Sequence, residues 1–476
     1  GDKIRFRVGY PEKIGGWAKK GDNQFIGSAR ALKPWLTLES DRLIGVGTHL
    51  KYYIEDGGVY YDITPIRNTT AAGDVTFSAS QGSSVITVTD TNHEARAGDF
   101  VTFSGAASLG GAITADVLNQ EYQIQTAPTT STYTINARAA ITNVNQYYNN
   151  GVIDDSAALV VATSGDTNTG GSSAVAAYQV QTGVDTSTFG NGWGAGTWSR
   201  GAWNSRATVN VLSENLRLWQ HDTFGEDLIF CIRDGSVFYW DTSGTTAQRG
   251  VYLSALTGAS NTPTIAKQVM VSDIDRHVIA FGCNPVGSNV QDPLLIRFSD
   301  QENPADWTPS TTNTAGDLRI GSGTAIVQAV ETRQEILVFT DQALHSMQFI
   351  GPPYIFGINR VSENITIRSP NAAVAIGDSV YWMGVDQFYV YRGNVSQLNC
   401  TVKEKILTDI NNDQSTKIFV GVNSGFQEIW WFYPSLNSDN IDKYVVYNYE
   451  MDIWYYGTLN RTAWIDRGID DFPIAA

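Results

Sequence analysis

Side chains that could do catalytic chemistry are sparse in this chain. The sequence has no G-x-S-x-G nucleophile elbow, no phosphate-binding P-loop, and neither an H-E-x-x-H nor an H-x-H metal pair. Its histidines are scattered, and His93 and His345, which lie near predicted turns, are expected to be surface residues or to be satisfied by hydrogen bonds. We therefore predict that the chain is not an enzyme, and we assign no catalytic residue, no cofactor site and no metal site. The histidines are His49, His93, His221, His277 and His345.

Two kinds of acidic cluster could in principle hold a cation. Asp154 and Asp155 are adjacent, as are Asp470 and Asp471. Adjacent carboxylates point to opposite faces of a strand, so solvation is the expected role of both pairs. The segment DINNDQS (409–415) resembles the start of a calcium loop, but it has no glycine at the sixth position and has Val420 where the closing glutamate should stand. It is not predicted to be an EF-hand.

The segment FSDQENPADWTPS (298–310) resembles the Asp-box hairpin of sialidase-like propellers only superficially. Asp300 follows Ser299 directly, and Asn303-Pro304 replaces the glycine turn, so the pattern fails. A glycosidase would also need two carboxylates facing each other across a cleft.

Glycine and tryptophan alternate in FGNGWGAGTWSRGAWNS (189–205), which contains Trp193, Trp198 and Trp203. Glycines at this density let backbones approach closely, and indole rings can fill the space between sheets. This segment predicts packing between sheets. The alternative is a platform on which sugar rings stack.

The elements that would position such residues recur as one unit, an apolar strand, a turn and a second strand ending in aromatic residues. From Leu228 onward the units restart every ~45 to 60 residues, the range in which propeller blades repeat. The fold is therefore predicted to be all-β, with a β-propeller-like main body. The units are RLIGVGTHLKYYIEDGGVYYDITP (42–65), EDLIFCIRDGSVFYWDTSG (226–244), QEILVFTDQALHSMQFIG (334–351), DSVYWMGVDQFYVYRGN (378–394), and the pair FQEIWWFYP with DKYVVYNYEMDIWYYG (426–457).

Composition supports this interpretation. With 42% hydrophobic and 11% aromatic residues, the chain can bury a large core and should hold more than one domain. Gly, Thr, Ser, Asn and β-branched residues dominate, so few helices are expected. No window reaches the ~20 apolar residues of a membrane span, and the sequence predicts a soluble protein.

One segment interrupts the repeat and predicts a small inserted β domain, barrel-like or sandwich-like, over residues 68–173. Two alternating strands flank a turn at 96–99, and YQIQT (122–126) and STYTIN (131–136) add short strands. The segment SGDTNTGGSS (164–173) is predicted to be a linker back to the main body, which comprises residues 1–67 and 174–476. One long decorated blade loop is the alternative.

The cysteines and the charge bear on the compartment and on partners. Cys231, Cys283 and Cys400 are sparse and odd in number, which predicts reduced thiols in the core and folding in a reducing compartment. The formal charge of −16 has no basic stretch to offset it, so tight wrapping of nucleic acid is not expected.

Taken in order, several segments resemble the tail nozzle of short-tailed (podovirus-like) bacteriophages, also called the tail tube or DNA-stabilising protein. The resemblance spans most of the chain. The segments are RFRVGYPEKIGGW (5–17), SARALKPWLTL (28–38), the 42–65 unit, the Gly/Trp segment and FSDQENPADW (298–307). The inserted VITVTDTNHEARAGDFVTFSG segment also resembles a β module of phage virion proteins.

The resemblance implies a structural virion protein that assembles as a homo-oligomeric ring, expected to be a hexamer, below the portal and adaptor proteins. Such a ring forms the distal DNA-ejection conduit and gate, carries or abuts tail fibres, and meets the host outer surface transiently. Its expected location is the virion tail, after assembly in the bacterial cytoplasm. Genomic DNA would pass through the lumen without tight binding, and the acidic charge would favour sliding.

The resemblance also raises the question of ring closure, since family members usually continue beyond YGTLNRTAWIDRGIDDFPIAA (456–476). The N-terminal strand near Ile4 to Val8 is predicted to close the propeller. Two alternative functions remain, a glycan-binding or glycan-cleaving propeller of a phage tail, and a bacterial surface or secreted propeller. Inward-facing aromatic residues would favour the scaffold, whereas three or more exposed around a pocket with paired carboxylates would favour glycan binding.

Overall fold

A computed structural model describes residues 2–7, 9–109, 111–140, 148–149, 152–153, 158–187 and 215–476. The described chain is almost entirely strand and turn, with short helices α1 (Ala115–Leu118) and α2 (Lys403–Asp409) and single turns of 3₁₀ helix. Within these residues, no helix is both long enough and apolar enough to cross a membrane. The Gly/Trp segment 189–205 and the pair Asp154 and Asp155 lie outside the described residues.

The chain begins with a short hairpin and then forms the first blade. The hairpin pairs β1 (Ile4–Arg7) with β2 (Tyr10–Lys13). Blade 1 is a four-stranded antiparallel sheet. Its strands are β3 (Ala29–Leu36), β4 (Arg42–Thr48), β5 (Tyr52–Asp56) and β6 (Val59–Asp62).

The inserted domain follows and consists of two facing sheets around one apolar core. One sheet has the strand order β11-β10-β17-β7 and the other β12-β13-β9-β8-β16, while β14 and β15 form a separate pair. Phe77, Phe103 and Tyr133 from the two sheets are fully buried in the shared core. The strands are β7 (Ile66–Thr69), β8 (Thr76–Ala79), β9 (Val85–Thr89), β10 (Phe100–Ser104), β11 (Glu121–Gln123), β12 (Thr126–Thr129), β13 (Thr132–Asn136), β14 (Tyr148–Asn149), β15 (Val152–Ile153), β16 (Asp166–Thr169) and β17 (Val175–Gln179).

The prediction of a linker over residues 164–173 is wrong for its central part. Asp166–Thr169 forms β16, an edge strand that pairs with β8. The side-chain hydroxyl of Ser78 bonds both to the backbone N–H of Asn168 (2.9 Å) and to its side chain, so polar residues secure this strand. Composition alone does not separate a polar edge strand from a flexible linker, because an edge strand also faces solvent.

Five further four-stranded antiparallel sheets and a terminal hairpin make up the rest of the described chain. Blade 2 contains β18 (Trp219–Phe224), β19 (Asp227–Ile232), β20 (Val237–Trp240) and β21 (Val251–Tyr252). Blade 3 contains β22 (Gln268–Val271), β23 (Val278–Phe281), β24 (Leu295–Phe298) and β25 (Gly316–Arg319). Blade 4 contains β26 (Ile326–Glu331), β27 (Ile336–Thr340), β28 (Ala343–Gly351) and β29 (Ile355–Glu363). Blade 5 contains β30 (Ala373–Ile376), β31 (Ser379–Met383), β32 (Phe388–Tyr391) and β33 (Val395–Gln397). Blade 6 contains β34 (Phe419–Asn423), β35 (Glu428–Pro434), β36 (Ile441–Asn448) and β37 (Ile453–Thr458), and the hairpin pairs β38 (Trp464–Ile465) with β39 (Ile474–Ala475).

The first strands of the blades form the inner ring. Strand β18 lies beside both β3 and β22, β30 lies beside both β26 and β34, and β38 lies beside both β34 and β3. Blades 3 and 4 are joined through Gln268, whose side chain bonds to the backbone of Ala329. The prediction of an all-β fold with a β-propeller-like body and an inserted β domain is confirmed, and each predicted repeat unit supplies strands of one blade.

The prediction that the N-terminal strand closes the ring is wrong. The hairpin β38–β39 stands between blade 6 and blade 1, while β1 pairs with β2 and contacts the outermost strand of blade 6. Ala463 and Ile465 pack with Ile44 and Val46 of blade 1 in one apolar cluster. The hairpin closes the ring because β38 contacts the inner strands of both neighbouring blades and packs apolar side chains against them.

Candidate functional site

Most of the described tryptophan side chains face inward. Of the ten described tryptophans, Trp17 is exposed, Trp464 is half-buried, and the others are buried. Indole N–H groups bond to backbone carbonyls, as in Trp382 to Thr366 (3.2 Å) and Trp431 to Ala372 (2.9 Å). These rings fill space between sheets and satisfy buried carbonyls, which is a packing role.

Polar side chains join neighbouring blades along the central axis. The amide of Gln268 donates to the carbonyl of Ala329 (2.8 Å) and accepts from its N–H (2.8 Å). Gln328 repeats this pair of bonds with Ala373 of blade 5, at 2.9 and 3.0 Å. Each glutamine amide thus forms the same pair of hydrogen bonds with the backbone of the next blade that a neighbouring strand would form. These bonds fix the angle between the two blades.

One bond crosses the axis. The Nε2 of Gln220 in blade 2 donates to the Oδ1 of Asn371, which precedes the first strand of blade 5, at 2.9 Å. These two blades stand on opposite sides of the ring. Side chains therefore fill the axis of a single chain at this level, and it offers no open bore there.

An acidic mouth lies where the inner strands end. The Nζ of Lys33 reaches from blade 1 to the Oδ1 of Asp222 (2.6 Å), and Glu331 accepts from the backbone N–H of Asp273 (3.0 Å). Burial alone would lower the pKa of Lys33, but the charges of Asp222, Asp273 and Glu331 outweigh it and raise that pKa. Burial, with the nearby charges of Asp273 and Asp222, raises the pKa of Glu331 to about 7.

A basic cavity of about 600 Å³ lies at the opposite end, where the inner strands begin. Arg96 of the inserted domain, Arg217, Arg233 and Arg368 line it, and Asp234 is the carboxylate among the described lining residues. Asp234 is engaged by Lys267 (2.6 Å) and by Gln291 (3.0 Å). The apolar part of the wall includes Val184, Leu216, Leu218, Ile232, Val327 and Ile367.

Arg217 is held flat against the backbone of Gly183. A β-carbon at Gly183 would lie 2.4 Å from the Cβ and 2.6 Å from the Nε of Arg217, so only glycine leaves room for this side chain. The Nη2 of Arg217 donates to the carbonyl of Gln181 (2.8 Å). Burial lowers its pKa to about 10, with the Asp99 carboxylate opposing this effect and Arg96 adding to it.

Arg233 and Arg368 bond to neutral groups. Arg233 reaches the carbonyls of Lys267 and Ile326 at 3.4 and 3.5 Å, beyond the usual range for such bonds. Arg368 donates to the carbonyl of Val385 (2.8 Å) and to the Oδ1 of Asn412 (2.6 Å), and its Nε has no partner. Burial lowers the pKa of both groups.

Sequence reasoning missed this cavity. Arg96 belongs to the inserted domain, whereas Arg217, Arg233 and Arg368 lie in three separate segments of the propeller. The four arginines have no common spacing in the sequence. Each is a single arginine near a strand end, and only closure of the ring brings them together. The one available signal was that Arg233 stands at the turn of the 226–244 unit, whose first strand is otherwise apolar, and that Arg217 precedes this unit.

His93, Asp470 and Trp307 have structural roles. His93 bonds to the carbonyl of Thr129 (3.0 Å) and accepts from the N–H of Ala95 (2.9 Å), so it is satisfied, and it is buried. Asp470 interacts with Lys20 and Arg42. Trp307, within the segment 298–310, is buried and donates to the carbonyl of Pro304.

The thiols are buried or partly buried, and the calcium-loop-like segment is largely helical. Cys231 and Cys283 are buried, and burial raises the pKa of each thiol to about 12, while Cys400 is partly buried. Residues 409–415 form the end of α2 and the start of a 3₁₀ turn. Across the described ranges, no three His, Cys, Asp or Glu side chains are grouped so that they could hold a metal ion.

The fold defines an all-β, β-propeller-like protein with an inserted β domain. No protein-family model matches the chain, and no curated protein matches it. Among solved structures, it is similar to PorZ, a bacterial surface component of the type-IX secretion system of Porphyromonas gingivalis, at 10% identity over 52% of this chain and 27% of that one (TM-score 0.28). It is also similar to the phage phi92 endosialidase, at 9% identity over 89% of this chain and 55% of that one (TM-score 0.21).

A third structure is the Trp149Ala mutant of the Synechocystis apocarotenoid oxygenase, at 8% identity over 85% of each chain (TM-score 0.31). The chain spans 27% and 55% of the first two proteins named. At these identities and TM-scores, none of the three informs on function.

Proposed function

We propose that the chain is a structural, non-enzymatic subunit of the tail of a short-tailed bacteriophage, a nozzle ring that forms the distal conduit for DNA. The observation that carries the proposal is the inward packing of the described tryptophans, eight of ten being buried. The described residues lining the basic cavity include no aromatic side chain. A glycan-binding propeller would expose several such rings around one pocket.

The filled axis bears on where the proposed conduit would run. Because Gln220 bonds to Asn371 across the centre of one propeller, DNA cannot pass along that axis. The conduit is therefore the space between copies of the chain arranged in a ring. Each copy carries a net charge of −16, so the wall offers few Lys or Arg contacts to the phosphates of the duplex. Because each such contact would add affinity and slow the passage of DNA, a wall with few of them binds the duplex weakly.

The hairpin of blade 4 supplies a surface on which copies can meet. Its strands β28 and β29 have nine residues each, and most other blade strands are shorter. Its tip exposes Phe349, Ile350 and Tyr354, with Tyr354 75% exposed. Apolar side chains clustered on a projecting hairpin are typical of an interaction surface.

The test is the mass of the purified protein in solution, measured by light scattering alone and with candidate adaptor proteins. We expect a ring of several copies, formed alone or on the adaptor ring. The double substitution Ile350→Ser and Tyr354→Ser should prevent the ring and leave circular dichroism unchanged. Leu38→Ser, at a residue 90% exposed on blade 1, is the matched control and should assemble normally.

One observation favours the alternative, a glycan-cleaving propeller. Glu331 has a pKa raised to about 7 and lies near Asp222 and Asp273. A glycosidase likewise has a general acid with a raised pKa near a second carboxylate. Asp222, however, is already engaged by Lys33 and by the N–H groups of Val271 and Thr223. A persistent monomer that ignores virion proteins and cleaves polysaccharide would overturn the nozzle proposal and support this one.

A further inference from the structure

We propose that the basic cavity is a binding site for a small organic phosphate, with its phosphate held by Arg217, Arg233 and Arg368 and its organic part against the apolar wall. The proposal goes beyond the structural role described above. It depends on the charge, the unused donors, the size and the lining of the cavity.

Among the described lining residues, four arginines face one carboxylate, Asp234, and the Asp99 carboxylate also acts on Arg217. None of the four lining guanidinium groups forms a salt bridge with a carboxylate of the described residues. Asp234 is shared between an ion pair with Lys267 and the nearby charge of Arg233. Charges withdrawn from water without a counter-charge are costly, and a bound anion would offset that cost. This imbalance stands out in a chain whose net charge is −16.

The guanidinium groups also keep donors in reserve. Each arginine has five N–H donors, and Arg217 has one bond, from Nη2 to the carbonyl of Gln181. The two contacts of Arg233 are long, and the buried Nε of Arg368 has no partner. Guanidinium groups with free parallel N–H pairs match the oxygens of a phosphate group, which they bind in bidentate fashion.

Size and lining indicate a ligand larger than phosphate alone. A volume of about 600 Å³ lies within the range of small-molecule sites and exceeds what a single phosphate fills. Val184, Leu216 and Ile367 offer an apolar wall to the remainder of the ligand. A nucleic acid duplex is not the expected occupant, because it requires a basic stripe open to solvent, whereas these arginines line one cavity.

The experiment measures binding of inorganic pyrophosphate and of AMP to the intact chain by titration calorimetry. We expect one site per chain for AMP, with affinity reduced about tenfold to a hundredfold by Arg217→Gln and by Arg368→Gln. Arg360→Gln, at an exposed arginine on blade 4, is the matched control and should bind as the unsubstituted protein does. Circular dichroism checks that each variant is folded.

A second measurement needs no substitution. Phenylglyoxal modifies accessible arginines, and mass spectrometry after digestion locates the modified positions. AMP should protect Arg217 and Arg368 from modification and leave Arg360 reactive. The proposal is overturned if neither compound binds at millimolar concentration, if the two variants bind as tightly as the control, if AMP protects no cavity arginine, or if duplex DNA binds and AMP does not.

Discussion

The indole of Trp464 lies directly on Gly421, and its Nε1 donates to the carbonyl of the next residue, Val422, at 2.7 Å. Trp219 repeats this arrangement between blades 2 and 1, lying on Gly47 and donating to the carbonyl of Thr48 at 2.6 Å. The terminal hairpin therefore joins blade 6 by the contact that joins two full blades. A two-stranded unit can close the ring because it retains this inner-strand contact.

Substitution of Gly421 should loosen the closure. A β-carbon at this position would lie 2.6 Å from the Cγ of Trp464, so Gly421→Ala must displace the indole. We expect a loss of about 1 to 3 kcal/mol in the free energy of unfolding, measured by urea denaturation. Gly468→Ala, where a β-carbon meets no atom within 4 Å, is the control and should change stability by less than about 0.5 kcal/mol. Equal stability of the two variants would contradict the role of this contact.

The N-terminal hairpin is secured by a buried ion pair and not by a blade ladder. Arg5 bonds to both carboxylate oxygens of Glu428 (2.8 and 3.0 Å), and Glu428 is 1% exposed and also accepts from Tyr455. Arg5→Met leaves that carboxylate buried without its cation and should cost about 3 to 5 kcal/mol, visible as a lower melting temperature.

Arg7→Met is the control for this pair, since Arg7 lies on the same strand and is exposed. Deletion of residues 1–10 should lower the melting temperature about as much as Arg5→Met does. A much larger effect of the deletion would show that β1 contributes more than this ion pair.

The inserted domain is joined to the propeller by a buried network of charges. Lys51 of blade 1, with its side chain 2% exposed, bonds to Asp62 (2.7 Å) and to Glu121 of the inserted domain, and Arg249 of blade 2 bonds to Asp62 (2.7 Å). Burial opposes ionisation of Asp62, but Lys51 and Arg249 outweigh it and keep its pKa well below the usual range.

Lys51→Met should therefore destabilise the protein by about 3 kcal/mol and speed hydrogen exchange in β10 and β11, at the contact between domains. The control is Lys19→Met, at a lysine with a largely exposed side chain. If exchange in the inserted domain is unchanged by Lys51→Met, the network does not hold the two domains together.

Glu331 should make stability fall as pH rises. Burial and nearby carboxylates raise the pKa of Glu331 from 4.5 to about 7. The contribution of Glu331 to the free energy of unfolding is therefore fully present below about pH 4.5 and is lost as the pH rises towards 7. Glu331→Gln keeps an acceptor for Asp273 and removes this titration. The melting temperature of the variant, relative to that of the unsubstituted protein, should therefore rise between pH 5 and pH 8.

The control for this pH dependence is Glu363→Gln, at an exposed glutamate of blade 4. Its melting temperature should follow the unsubstituted protein at every pH. If the melting temperature of Glu331→Gln also runs parallel to that of the unsubstituted protein from pH 5 to pH 8, Glu331 is not the titrating group.

A structural feature could be predicted from the sequence when the residues that form it lie close together along the chain. The apolar strands and turns of 42–65 and 334–351 are local, so the recurring order of an apolar strand, a turn and an aromatic-ended strand predicted their sheets. Blade 3 lacked a recognisable unit because a long connection separates β23 from β24, and β24 has the sequence LIRF without the terminal aromatic pair. A pattern that is stretched across a loop loses the spacing by which it is recognised.

The sequence by itself determined the all-β class, the repeated strand pairs, the inserted domain and the apolar identity of the core, because these follow from nearest-neighbour preferences and side-chain alternation. Only the tertiary structure decided that Trp464 rather than Ile4 closes the ring, that Gln220 meets Asn371 across the axis, and that Arg217 and Arg368 share a cavity. Gln220 and Asn371 are 151 residues apart along the chain. Such contacts exist only once the blades close into a ring, so no local pattern encodes them.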